Sequence, residues 1–145
     1  MCVHVKPSPF TVTMLIGWTV AGALLLLSAF LPIGVSTVIP SQPPWAEASI
    51  GASMLAGGCL ALYSTHYSAR DLTRKWRLDE LGMWLMAGGW ATYALIAFLE
   101  MPMYVVHWEL GLTSLLGSLV RIADIRRHRG RVESAVERLT VREAG

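Results

Sequence analysis

The chain has 145 residues, which allows one compact domain and little more. Its composition is 54% hydrophobic and only 15% charged, with a mean hydropathy of +0.49, whereas a soluble globular chain carries about 25% charged residues. These values exclude most soluble enzymes and predict an integral membrane protein. Four spans of about 20 residues would leave too few positions for a second folded domain.

Long stretches without charge mark the predicted membrane spans. The sequence predicts an all-α protein, an integral membrane four-helix bundle over residues 1–122 that is followed by a basic amphipathic tail over 123–145. The predicted spans cover residues 11–31, 46–66, 81–99 and 104–122. Pro32 and Gly34 end the first span, and the proline-rich segment after it does not continue a helix. The second and fourth spans are less apolar, so their inclusion depends on the loop charges.

Basic residues set the predicted topology. With four spans, all twelve Lys and Arg fall on one side of the membrane, which predicts the cytoplasmic membrane with both termini cytoplasmic. Those predicted to fix topology and to contact the anionic inner leaflet are Arg70, Arg74, Lys75, Arg77, Arg126, Arg127 and Arg129. Although Lys6 precedes an apolar stretch, that stretch is long for a signal peptide and no small-x-small site follows it, so we expect it to remain as the first span.

Cysteine and histidine patterns do not indicate redox or metal chemistry. Cys2 and Cys59 form no C-x-x-C pair. His66 and His107 fall near opposite ends of their spans, about 20 Å apart in depth, so they are too far apart to bracket one haem. The other two histidines lie in polar tails. We therefore expect no catalytic residue, no metal and no cofactor, and the protein is not expected to be an enzyme.

Glu109 is the acidic residue predicted well inside a span, with His107 in the same outer half. A carboxylate in a bilayer is expensive and marks a candidate functional position. In one interpretation Glu109 is a proton or cation site that faces the bundle interior or a pore. In the other it pairs with a hydroxyl of a neighbouring helix or reaches the outer surface.

Small side chains form two predicted helix-packing faces. They lie at Ser49, Ser53, Gly57 and Ala61 in the second span and at Gly111, Ser114 and Ser118 in the fourth. Faces of this kind let helix backbones approach closely in lipid, within one chain or between copies. We expect a homo-oligomer, with other membrane subunits as a second class of partner.

The tail carries an apolar stripe beside its arginines. The stripe consists of Ile122, Ile125, Val132, Val136 and Leu139. Either the tail lies along the anionic inner leaflet or it extends the fourth helix as a coiled coil between copies. Arg129 interrupts the stripe and Gly130 weakens a helix, which favours the surface-lying form. Beside a span, the basic cluster of the tail fixes topology, and no nucleic-acid partner is expected.

Motifs after the second span carry a resemblance. They are WRLDELG at 76–82, Gly89-Trp90, Tyr93 and a fourth span with an arginine-rich tail. Over about residues 45–140 the chain resembles small multi-pass membrane proteins of bacteriophages that infect high-GC Gram-positive hosts, several of which are classed as holins or holin-like. The resemblance implies a protein without catalytic residues that assembles laterally in the cytoplasmic membrane and permeabilises it for host lysis. The residues alone also fit a small ion channel, a superinfection-exclusion protein or an accessory subunit of a larger membrane complex.

Overall fold

The computed structural model is all-helical, in agreement with the predicted fold class. It describes residues 9–31, 43–66, 72–100, 102–103 and 105–143. Within these ranges there are four helices: α1 (Pro9–Ser28), α2 (Pro44–His66), α3 (Leu72–Glu100) and α4 (Val105–Glu143).

The end of α1 and the start of α3 differ from the predicted spans. Helix α1 ends at Ser28, where the N–H groups of Phe30 and Leu31 both donate to the Leu27 carbonyl in a closing turn. Helix α3 begins at Leu72 rather than near residue 81, because charged residues end an apolar span without ending a helix, and its first turns contain neither Gly nor Pro.

The basic segment predicted as a loop therefore belongs in part to α3. Arg74, Lys75 and Arg77 lie in its first turns, whereas Arg70 falls outside the described residues.

Helix α4 runs unbroken from Val105 to Glu143, so Gly130 does not end the helix. The surface-lying and coiled-coil forms of the tail both stay predictions. One glycine inside a helix costs only about 1 kcal/mol relative to alanine. Across Gly130, Arg129 Nε donates to Glu133 Oε1 at 2.8 Å, and such an i,i+4 ion pair supports the helix. The tail is a continuation of α4.

The helices pack in chain order, with α1 against α2, α2 against α3 and α3 against α4. Their contacts run antiparallel, so α1 begins, α2 ends, α3 begins and α4 continues outward at the same end of the bundle, which we call the basic end. Helices α1 and α4 meet where the Trp18 ring lies against Gly117, 3.0 Å from the position a Cβ would take there.

One apolar core joins all four helices. Its buried members are Leu15, Ile50, Met54, Ala61, Met83, Met86, Trp90, Tyr93, Ile122 and Ile125. The unbranched methionines fill the irregular space between closely spaced backbones. The Trp90 and Tyr93 rings meet edge to face, with centroids 5.8 Å apart.

Among the described residues, three helices are long and apolar enough to cross a membrane. These are Thr11–Ser28, Pro44–Thr65 and Leu72–Glu100. Helix α4, which contains Glu109 and Arg121, is not among them. The chain is thus a helical protein compatible with a membrane location, and the four-span prediction holds for three helices on length and composition.

Candidate functional site

The predicted small-residue face of α2 packs against α3 within the chain. A Cβ added to Gly57 would lie 2.6 Å from the Gly82 carbonyl oxygen, and a Cβ on Gly82 would lie 2.9 Å from the Ala61 amide nitrogen. Ser53 is half-buried, with its hydroxyl 2.9 Å from the Cβ position of Gly89. Ser49, nearer the other end of the bundle, is exposed. The backbones of α2 and α3 are in direct contact because these positions lack bulk.

A second face of α2, which sequence reasoning missed, packs on α1. A Cβ on Gly51 would lie 2.5 Å from the Leu26 amide nitrogen, and a Cβ on Gly58 would overlap the Thr19 hydroxyl. Gly51 and Gly58 are seven residues apart and share a helix face, so the signal was present at a spacing of seven. Helix α2 is enclosed on both sides.

The small-residue face of α4 packs on α3. A Cβ on Gly111 would lie 2.8 Å from the Ala94 Cβ. Ser114 and Ser118 are buried, and the Ser118 hydroxyl donates to the Ser114 carbonyl at 2.9 Å. The residues predicted for helix packing, within one chain or between copies, are therefore largely occupied by packing within one chain.

A buried ion pair joins α3 to α4 near the basic end. Arg121 donates to Asp79 Oδ2 at 3.0 Å, and the Asp79 side chain is only 6% exposed. Ser64, a fully buried hydroxyl of α2, and Lys75 also lie close to this carboxylate. Side chains of α2, α3 and α4 thus meet around the Asp79 carboxylate.

A second, more exposed ion pair lies beside it. Arg126 donates to Glu80 Oε1 at 2.7 Å, and its guanidinium carbon stands 5.9 Å from the centre of the Trp84 ring. The side chain of Arg126 is 61% exposed, so this contact is at the bundle surface. The two pairs fix α4 on α3 before α4 leaves the bundle.

Sequence reasoning missed both ion pairs, although a signal existed. Asp79 and Glu80 directly precede a charge-free stretch, and Arg121 directly follows another. In adjacent antiparallel spans such bounding charges meet at the same depth, so opposite signs there predict an interhelical pair.

Basic side chains gather at the basic end. Arg74, Arg77 and Arg127 are exposed and Lys75 is half-buried. Arg129 is outside the candidate spans, and the hydrogen bond and charge of Glu133 raise its pKa. The described part of the predicted topology set therefore occupies one end of the fold.

Glu109 lies on the exposed side of α4 and does not point into the bundle. His107 is half-buried, while Thr113, one turn after Glu109, is exposed. The interpretation of Glu109 as a site in the interior of one chain does not match this position. What remains is an outward-facing polar patch, Glu109 and Thr113, on an otherwise apolar outer surface of α4.

Within the described residues, no three His, Cys, Asp or Glu side chains come together as a metal site. Cys59 is an exposed free thiol on α2, and Cys2 falls outside the described ranges. Comparison with protein-family models, with curated proteins and with solved structures finds no match to this chain. The resemblance to holin-like phage proteins stays a prediction.

Proposed function

We propose that the chain crosses the cytoplasmic membrane four times, with both termini cytoplasmic, and assembles laterally with its own copies to permeabilise the membrane, as holins do. The outward-facing polar patch on α4 carries this proposal. The packing of α4, the edges of the bundle and the distribution of charge support it.

The packing of α4 on α3 supports a fourth crossing. The two helices are in contact from Gly111, against Ala94, to Arg126, which pairs with Glu80. That stretch of α4 spans about 22 Å at 1.5 Å per residue. Because α3 is a candidate span, a helix held antiparallel along it occupies the same depth of the bilayer.

The exposed patch of α4 supports assembly around water. Glu109 and Thr113 are neighbours one helical turn apart and both are exposed. A carboxylate that faces hydrocarbon costs about 3 kcal/mol on insertion scales, and such groups generally face a bundle interior or a water-filled cavity. Because one chain turns Glu109 outward, we place such a cavity between copies, with α4 as its lining helix.

The two edge helices supply surfaces through which copies can meet. Helix α1 exposes Ile16, Val20 and Leu24, and α4 exposes Leu112 and Leu116. Since α1 and α3 occupy the two glycine faces of α2, we expect lateral contacts to use these outer surfaces of α1 and α4. The basic end would lie against the anionic inner leaflet, as the positive-inside rule requires.

Reconstitution into liposomes tests permeabilisation. The purified full chain is incorporated into vesicles loaded with a potassium-sensitive dye, and ion flux is followed for the native protein, for Glu109→Gln and for Asp124→Asn. Asp124 is an exposed acid on the same helix beyond the predicted span 104–122, so it is the matched control. We expect potassium flux from the native chain, a flux about tenfold lower in Glu109→Gln, and little change in Asp124→Asn.

Vesicles that stay sealed with the native chain would overturn the proposed function and would point to an accessory subunit. Potassium flux that is unchanged in Glu109→Gln would remove α4 as the lining helix. Expression with a co-expressed cytoplasmic endolysin then separates a holin from a channel, because a holin-sized path releases the enzyme and lyses the cells, whereas an ion channel only depolarises them.

A further inference from the structure

Helix α4 is much longer than a membrane crossing requires. Its 39 residues extend about 58 Å, whereas the hydrocarbon core of a bilayer is about 30 Å thick. Beyond Arg126 nearly all described side chains as far as Arg138 are exposed. This segment, 127–143, is the α4 extension, and it projects from the basic end.

The face of α4 that packs on α3 continues along the extension. Within the bundle this face alternates at spacings of four and three through Gly111, Leu115, Ser118, Ile122 and Ile125, which are buried or packed against the core. The same alternation then passes through Arg129, Val132, Val136 and Leu139. Val132 and Val136 are 40% and 55% exposed, so the stripe continues where α3 no longer covers it.

Spacings that alternate between three and four define the core positions of a coiled coil. Helix α3 begins at Leu72, and Val132 and Val136 remain 40% and 55% exposed, so α3 leaves this part of the stripe open. We propose that a second copy of the α4 extension covers them, forming a short parallel coiled coil between two chains at the basic end. Copies inserted with the same topology present their extensions side by side and parallel.

Charge complementarity favours this occupant. Arg129 takes a core position, where two arginines would repel each other, but each is paired with Glu133 of its own helix at 2.8 Å. In a parallel coiled coil the position of His128 faces the position of Glu133 on the second copy, five residues onward. Because the Nδ1 of His128 donates to the Asp124 carbonyl at 3.0 Å, the imidazolium form of His128 can donate from Nε2 to Glu133 across the interface, while Arg129 donates to Glu133 within its own chain.

The coiled coil is short, and its formation rests on the proposed lateral assembly. An isolated helix of this length is marginal in water, but here the helix is already anchored on α3 through Arg126 and Glu80. Confinement to one membrane also raises the effective concentration of the two extensions. The coiled coil between two α4 extensions would give the proposed assembly a defined contact outside the lipid.

Disulfide cross-linking in membranes tests the interface. In full-length protein with Cys2→Ser and Cys59→Ser, a single cysteine is introduced as Val132→Cys on the stripe or as Ser134→Cys on the opposite, exposed side. After mild oxidation we expect about tenfold more covalent dimer from Val132→Cys, because core positions face each other in a parallel pair. Adding Val136→Asp should abolish that dimer, whereas adding Ser134→Asp should leave it.

Equal dimer yields at the two positions, or no dimer at either, would overturn the coiled coil. The readout is independent of permeability. Ion flux in liposomes without stripe-specific cross-linking would reject this interface and leave the proposed function standing. Stripe-specific cross-linking with sealed liposomes would reject permeabilisation and leave the interface standing.

Discussion

Helices α2 and α4 are built from similar small and polar residues, yet the structure surrounds them differently. Helix α2 lies in backbone contact with α1 at Gly51 and with α3 at Gly57. Helix α4 is closed on one side, at Gly111 against α3, and open on the other, where Glu109 and Thr113 are exposed. Similar small residues therefore pack the central helix α2 on two sides and the edge helix α4 on one side.

The difference shows that a small-residue face does not identify its own partner. In lipid such faces associate because smooth surfaces let backbones approach, whichever chain supplies the second surface. In α2 the partners at Gly51 and Gly57 come from the same chain, so these two close contacts do not hold copies together. Polar groups that remain exposed on an edge helix, such as Glu109, are the more specific indication.

The largest expected effect concerns the attachment of α4 to α3. Replacing Asp79 by alanine leaves Arg121 without its partner in a largely buried position, and we expect a loss of about 3 kcal/mol in the free energy of unfolding. The matched control is Glu80→Ala, whose ion pair with the exposed Arg126 should contribute less than about 1 kcal/mol. Unfolding by sodium dodecyl sulfate in mixed micelles, followed by circular dichroism, measures both. Equal losses in the free energy of unfolding would show that the burial of an ion pair does not determine its contribution to stability here.

A somewhat smaller effect is expected where α2 is enclosed. Gly57→Leu places a side chain against the Gly82 carbonyl, and overpacking of this kind costs about 2 kcal/mol. Gly88→Leu is the control, because a Cβ at Gly88 meets nothing within 4 Å. The same micelle titration applies. If both leucine variants unfold alike, the close approach of α2 and α3 is not a feature of the folded protein.

The fold could be predicted from the sequence in outline, whereas the boundaries and contacts could not. Charge-free stretches located the helices because burial in lipid excludes unpaired charge. The same signal placed the start of α3 too late, since helix propensity continues through Arg74 and Lys75 after hydropathy has ended. It also could not predict that α4 runs through Gly130, where the Arg129–Glu133 pair supports the helix.

The candidate site was predictable only in part, for a geometric reason. Glu109 was identified from its position in a predicted span, but the direction of its side chain depends on how α4 is rotated against α3, which Gly111 and Ala94 decide. The pairing of Asp79 with Arg121 joins positions 42 residues apart and requires the antiparallel register of two helices.

The smallest expected effect is at the surface of the basic end. Trp84→Leu removes the ring beneath the Arg126 guanidinium, and an exposed cation–π contact contributes about 0.5–1 kcal/mol. The unfolding titration should show a shift of that size, with Trp45→Leu as the control because Trp45 is exposed at the start of α2. A shift no larger than the control would leave the contact without a role in stability.

The fourth crossing by α4 is the claim on which the proposed assembly depends, and cysteine accessibility tests it most directly. In full-length protein without Cys2 and Cys59, single cysteines are introduced as Met103→Cys, before α4, and Arg131→Cys, in its extension, both at exposed positions. Intact cells at low expression are treated with a maleimide on a polyethylene glycol too large to pass a small pore. A crossing α4 predicts that Met103→Cys is modified in intact cells and that Arg131→Cys is modified only after the membrane is dissolved. Modification of both cysteines from the same side would contradict the fourth crossing and with it the pore-lining role of Glu109.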